Sequence, residues 1–238
     1  MPPTVHVIQN PTDAQIEEAV GVAMRAFAGD ASVDSMTGGN DTLQPALYRS
    51  MIKAGASEGG FWVVQNGDDD GSGKEDDDDG SGKEDEEAES RAMKIRSFGI
   101  WFGPGKKLFE TEEQRSLGWN DYFAGLSAET REWWMTTFHT KHEESLERLL
   151  GSAYQDDWFA NLIATDPEHQ RKGYASAMIR QVFREAEKQG KTVALATQTE
   201  INATFYQNLG FTLLGKEDIP APTGTWPDYF LRWYAGSR

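Results

Sequence analysis

The sequence has no cysteine, which removes disulfide frameworks, thiolate zinc sites, cysteine nucleophiles and acyl-thioenzyme intermediates from consideration. Positive charge is scarce: 23 Lys and Arg stand against 39 Asp and Glu, a formal net charge of -16. Such a surface is ill suited to phosphate backbones, so nucleic acid is not expected as a partner. No run of about 18 apolar residues occurs, and the start MPPTVHVIQNPTDAQ lacks a basic segment leading into an apolar one. The expectation is a soluble, cytoplasmic protein with no membrane partner. What the chain does have is 38% hydrophobic and 11% aromatic content over 238 residues, enough for one core of ordinary size.

The acidity is uneven. The nonapeptide DDDGSGKED occupies 68–76 and repeats without a gap at 77–85. Between Asp68 and Glu89 there are 13 acids and 2 Lys, so -11 of the charge resides there and the rest of the chain carries only -5. With Ala88 as its only apolar residue, this stretch buries nothing to offset its ordering entropy, and its like charges repel. It reads as a solvated, low-complexity insertion over 67–90 in a single domain spanning 1–238. Its Gly-Ser-Gly-Lys elements lack the glycine spacing of a phosphate loop. Glu75, Asp77, Asp79, Gly80 and Glu86 fall at an EF-hand-like spacing, but the first ligand is not Asp and no helices flank it, so no metal site is expected.

Hydrophobic periodicity gives the remaining elements. Thr4 to Ile8 alternates as a strand, and Thr12 with Gln15 forms a capping box that opens a helix carrying Ile16, Ala19, Val20, Ala23 and Phe27 on one face. A break at Gly38 and Gly39 precedes a second helix through Leu43, Leu47 and Met51. Phe61 to Val64 and Ile95 to Phe102 read as strands, so the acidic repeat lengthens the turn of a hairpin between them. The segment 106–157 is helical and rich in aromatic residues, an insert placed over the substrate side, although such rings serve packing more often than a pocket. His139 and His142 within it do not match the HExxH zinc pattern, and that helix face reads as solvated. Trp158 to Thr165 is a strand, followed by a helix that stops at Gly190. Thr192 to Thr197, Phe211 to Leu214 and Asp228 to Tyr234 are further strands, with a short helix at Asn202 to Leu209. The fold class is α/β in the α+β sense, a sheet flanked by helices.

The chemistry concentrates after the strand that ends at Thr165. Gln170-Arg171-Lys172-Gly173-Tyr174-Ala175 lies between that strand and the next helix. A turn glycine admits close approach of a ligand to the backbone, and the unpaired N–H groups and dipole of a helix start favour a pyrophosphate. Arg171 and Lys172 add local positive charge that outweighs the distant acidity screened by salt. About thirty residues later comes Asn202-Ala203-Thr204-Phe205-Tyr206-Gln207-Asn208-Leu209-Gly210-Phe211.

The two motifs, in this order and at this spacing, resemble the Q/R-x-x-G-x-G/A loop and the N-x-x-x-FY-x-x-x-GF segment of the GNAT superfamily of acetyl-CoA-dependent N-acetyltransferases. The resemblance runs over nearly the whole chain and implies a mixed, mostly antiparallel central sheet. The segments FWVVQNG, WFANLIATDPEHQRKG and FYQNLGF look most like the puromycin N-acetyltransferase branch. It implies that the backbone of Ile163, Ala164 and Thr165 pairs with the pantetheine arm of acetyl-CoA like an added strand. Gln170, Arg171, Lys172, Gly173, Tyr174, Ala175 and Ser176 then cradle the pyrophosphate, with Ala175 where the family more often has glycine. Asn202 contacts the cofactor arm, Tyr206 is the general acid for the departing thiolate, and a strand amide near Ile163 steadies the oxyanion.

The implied reaction is direct acetyl transfer from acetyl-CoA to the amine of a small molecule in a ternary complex, where proximity is the main contribution. No motif identifies the general base. Asp156, Asp157 and Glu200 lie near strand ends, a water chain is an alternative, and each carboxylate reads more simply as a surface group. Two other functions stay open: a protein or peptide N-acetyltransferase whose acidic repeat attracts basic targets, and a non-catalytic acyl-CoA-binding module.

Overall fold

A computed structural model describes residues 3–65 and 94–236. The acidic repeat, with its calcium-like and phosphate-loop-like spacings, lies outside the described residues. Seven strands, β1 (Thr4–Ile8), β2 (Gly60–Gln65), β3 (Ile95–Phe102), β4 (Trp158–Thr165), β5 (Val193–Thr197), β6 (Thr212–Ile219) and β7 (Trp226–Trp233), form one sheet in the order β1-β2-β3-β4-β5-β7-β6. Every neighbouring pair is antiparallel except β4 and β5. This is the mixed, mostly antiparallel sheet that the motifs imply. Strands β2 and β3 pair from Gly60 opposite Trp101 to Gln65 opposite Ile95, so the acidic insertion joins two adjacent strands.

Alternation along the strands divides the core. Phe61 and Val63 of β2 face one side, where they meet α1 (Asp13–Ala26) through Ile16, Ala19, Val20 and Ala23. On that side, beyond the short helix α2 (Ala31–Thr37), α3 (Gln44–Glu58) contributes Tyr48 and Ile52. Trp62 and Val64 face the opposite side, against Met178, Ile179 and Val182 of the crossover helix between β4 and β5. The capping box at Thr12 and Gln15 forms as the sequence predicts. Helix α2 was not anticipated. It is a seven-residue helix, too short to show periodicity; the Asp30 side chain accepts from the amides of Ser32 and Val33, and Gly38 at φ 64° closes it.

The segment after β3 is helical, as expected. It bends at Leu117 and Gly118, where φ of the glycine is 127°, then continues through α4 (Asn120–Gly125), α5 (Ala128–Glu132) and α6 (His139–Leu150). Helix α6 lays Leu146 and Leu150 against Ala194 and Phe230 on the sheet face that also carries α1 and α3. After β4 come α7 (Tyr174–Lys188) and, after β5, α8 (Glu200–Asn208). Strands β6 and β7 extend beyond the sequence-read bounds because they pair with each other as far as Ile219 and Trp226. Among the described residues no helix is long and apolar enough to cross a membrane.

Five tyrosines are buried among the described residues, and three of them, Tyr48, Tyr122 and Tyr206, sit deepest in the low-dielectric interior as far as their hydroxyls are concerned. Burial raises all three above the ordinary phenol range, with Asp30 and Asp34 adding to the effect at Tyr48. A group whose folded pKa is raised contributes stability that is complete below its unfolded pKa, about 10 for tyrosine, and is lost as pH rises through the folded value. The unfolding free energy should therefore fall above about pH 10, by up to about 1.4 kcal/mol per pH unit for each ring. Urea titrations between pH 8 and 12 measure this. The buried hydroxyl of Tyr48 has no hydrogen-bond partner among the described residues, so Tyr48→Phe should be no less stable at neutral pH and show a shallower alkaline decline.

Candidate active site

The site begins where β4 and β5 part. Their parallel pairing covers only Trp158 with Val193, Phe159 with Ala194, and Ala160 with Leu195. The cause is local: opposite β3, the register shifts so that Ile100 faces Leu162 while Trp101 faces Ala160, leaving Asn161 as the extra residue of a bulge. A bulge bends its strand and increases the twist, here at the point where the parallel ladder stops. Beyond it, Ile163, Ala164 and Thr165 remain paired with Gly99, Phe98 and Ser97 of β3. Their edge toward β5 lies outside the ladder and offers backbone groups to an extended ligand.

The loop after β4 is held from three directions. The Asp166 amide donates to the Arg96 carbonyl at 2.9 Å, its Oδ1 accepts from the Glu168 amide at 3.1 Å, and Oδ2 receives Arg25 Nη2 at 2.5 Å. Burial pushes the Asp166 carboxyl up, but Arg25 and the Glu168 amide prevail and keep it below the usual carboxylate range. Gln170 Nε2 reaches the Thr165 carbonyl at 3.4 Å. The chain then enters the left-handed region twice, at Arg171 with φ 61° and at Gly173 with φ 83°.

Helix α7 starts directly after Gly173 without a side-chain cap, so its first amides are left for another acceptor. A Cβ built on Gly173 meets nothing within 4 Å, which leaves room in front of those amides. Arg171 and Lys172 are exposed beside it, Tyr174 is buried, and Ala175 and Ser176 are half-buried on the first turn. The positive field is visible at His169, which is depressed by burial, then by Arg96 and Lys172.

Helix α8 closes the other side of the gap. Thr199 caps it by accepting from the Asn202 amide at 3.2 Å. Asn202 and Tyr206 are one turn apart and line a cavity of about 120 Å³ together with Ile163, Thr197 and Tyr48. Tyr206 is 8% exposed, its ring edge-on to Phe205 and Phe211, and burial alone raises its hydroxyl. It stays a proton donor through the neutral range. Tyr48, with its unpartnered hydroxyl, is a second phenol at this cavity that the sequence did not single out.

A larger cavity of about 670 Å³ adjoins the first, and the two share Met36, Leu47, Met51, Ala160, Asn161, Ala196 and Gln198 as walls. Phe109, Trp119, Phe123, Trp134 and Phe138 line it, so part of the aromatic stripe of 106–157 faces open space. Trp133, by contrast, packs with Ile219 and Trp226.

Two readings of this region are corrected. The helix face bearing His142 is not solvated: its Nδ1 lies 2.9 Å from Oδ2 of the wholly buried Asp228, whereas His139 is exposed. Asp157 is not a surface carboxylate either. It is 7% exposed and bound by Arg232 Nη2 at 2.5 Å and by the Thr192 hydroxyl, a pair that ties the start of β4 to β7. Asp156 and Glu200 are exposed. Among the described residues no cluster of His, Asp and Glu is arranged to hold a metal.

Residues 138–213 match the family described as Acetyltransferase (GNAT) domain. The whole fold is similar to that of histone acetyltransferase HPA2 and related acetyltransferase from Corynebacterium glutamicum, at 20% identity and a TM-score of 0.58, covering 99% of this chain and 98% of that one. Mosquito arylalkylamine N-acetyltransferase like 5b aligns with a TM-score of 0.60 at 9% identity, over 98% and 99% of the two chains. Drosophila melanogaster polyamine N-acetyltransferase aligns with a TM-score of 0.59 at 10% identity, over 97% and 100%. The architecture is thus the GNAT fold, and the match over 138–213, about a third of the chain, supports an acyltransferase enzyme. The matched segment contains both motifs, the loop ending at Gly173 and the Asn202 to Phe211 helix turn.

Proposed function

We propose that the chain transfers the acetyl group of acetyl-CoA directly to the amine of a small molecule held in the same complex. The observation that carries this reading is the junction of the two cavities at Ala160, Asn161, Ala196 and Gln198, which brings an aromatic chamber of about 670 Å³ to the mouth of the β4–β5 gap. In this reading the free edge of Ile163, Ala164 and Thr165 holds the pantetheine amides. The amides of Gly173 to Ser176, with Gln170, Arg171 and Lys172, hold the pyrophosphate, and Asn202 steadies the arm. The group supplies an activated acetyl thioester; the chain's own residues align it with the amine, which contributes most of the acceleration. Tyr206 gives its proton to the sulfur as the C–S bond breaks.

The aromatic walls favour an amine that carries a ring, with cation–π attraction holding the ammonium before it is deprotonated. Arylalkylamine and polyamine acetyltransferases among the structural neighbours support a small amine, and the three segments that resemble the puromycin-modifying branch support a ring-bearing one. The test is CoA-thiol release with tryptamine, phenethylamine, puromycin, agmatine, spermidine and a Lys-rich peptide. Ring-bearing amines should exceed the aliphatic ones by about 10-fold in kcat/KM, the equivalent of one aromatic contact. Preference for the peptide would shift the assignment to a protein acetyltransferase, and no release with any acceptor would leave a binding module.

A further inference from the structure

Asp228, at 0% exposure in β7, is a buried carboxylate that needs a reason. Both of its oxygens are engaged: Oδ2 by His142 Nδ1 at 2.9 Å and Oδ1 by Gln198 Nε2 at 3.0 Å. Among the described residues its ionisable partner is an imidazole, on a helix that borders the larger cavity. With Nδ1 donating to Asp228, Nε2 of His142 carries the lone pair. The ring is stacked on Phe138 at 5.3 Å and tilted against Phe230 at 5.6 Å, while its side chain keeps 20% exposure. Gln198, the third member, is a wall of both cavities.

The other ionisable groups at this cavity are either held by partners or exposed to solvent. Burial pushes Glu143 up, but the Tyr154 hydroxyl at 2.6 Å and Lys107 at 3.6 Å hold it below the ordinary carboxylate range. Asp157 is bound by Arg232, and Arg115 is tied to Glu112. Glu110 and His139 are exposed.

We propose that His142 is the general base of the acetyl transfer and that Asp228, held by Gln198, is its positioning residue; the proposal rests on the acetyltransferase reading above. Nε2 accepts one proton from the substrate ammonium and passes it to solvent. The nitrogen lone pair so exposed forms the C–N bond to the acetyl carbonyl carbon, and the C–S bond breaks with its electron pair going to sulfur. Tyr206 supplies the proton to sulfur, and the second proton leaving nitrogen restores the phenol. One ammonium and one thioester thus give one amide, one thiol and one released proton.

The experiment is steady-state kinetics with the best amine of the six-acceptor panel, alongside calorimetric acetyl-CoA binding. His142→Ala should lower kcat by about 100-fold or more with acetyl-CoA affinity unchanged, and added imidazole should restore part of the rate. Asp228→Asn should also lower kcat with cofactor binding intact, and imidazole should not rescue it, because the native ring is still in place. His142→Gln, which keeps the size and a hydrogen bond, should stay as slow as His142→Ala. Near-normal kcat in both His142 variants, or a loss that imidazole leaves untouched while acetyl-CoA affinity falls as well, would overturn the base assignment alone. Wild-type protein that binds acetyl-CoA but acetylates no acceptor would overturn the transfer reading, and this assignment with it.

Discussion

Calorimetric titration should show acetyl-CoA affinity falling by at least about 100-fold in Gly173→Glu, with the far-ultraviolet spectrum of the wild type preserved. Two effects combine. Gly173 sits at φ 83°, a region that costs an L-residue about 1 to 2 kcal/mol, and the new carboxylate stands before the uncapped amides of α7. Packing does not contribute, because a Cβ there meets nothing within 4 Å. Gly173→Ala separates the two: it carries the backbone strain without the charge and should weaken binding by about 30-fold at most. Equal losses in both variants would show that loop geometry alone matters. Unchanged binding in both would remove the pyrophosphate from this loop.

The second large effect is expected at Tyr206. Tyr206→Phe should reduce kcat by about 100-fold while acetyl-CoA binds as before, since the ring contacts with Phe205 and Phe211 survive and only the hydroxyl is lost. Burial raises this hydroxyl, so the wild-type rate should show no alkaline limb from it below about pH 10. A loss confined to KM would mean that the hydroxyl binds rather than protonates. If Tyr206→Phe is fully active, the proton comes from elsewhere, and Tyr48, whose unpartnered hydroxyl borders the same small cavity, is the next residue to replace.

The elements that were legible in the sequence are those whose signal is local. The bounds of β4, Trp158 to Thr165, follow from a short apolar run ended by Asp-Pro, and the Thr12 capping box marks the start of α1 within four residues. The turn at Gly173 and the helix carrying Asn202 and Tyr206 could likewise be placed, and Asn202 and Tyr206 share a small cavity with Ile163 of β4. What was not legible depends on distance along the chain. His142 and Asp228 are 86 residues apart, and neither lies in a motif; only the packing of α6 over β7 makes them neighbours. Asp157 reads as a loop carboxylate until β7 brings Arg232 to it. The aromatic residues of 106–157 look alike in sequence, yet Trp133 fills a core while Trp119 and Trp134 border a cavity, a difference set by rotation about helix axes rather than by composition.

The pairing of Gln65 with Ile95 has a practical consequence for anyone handling this protein. Two adjacent strands already held in register form a junction where the length of chain between them can change at little energetic penalty, since doubling a loop's length adds only about 0.6 kcal/mol of closure entropy. That makes the junction a natural port: a fluorophore, an affinity handle or a protease site can be spliced between the strands, while both termini and the β4–β5 gap are left as they are.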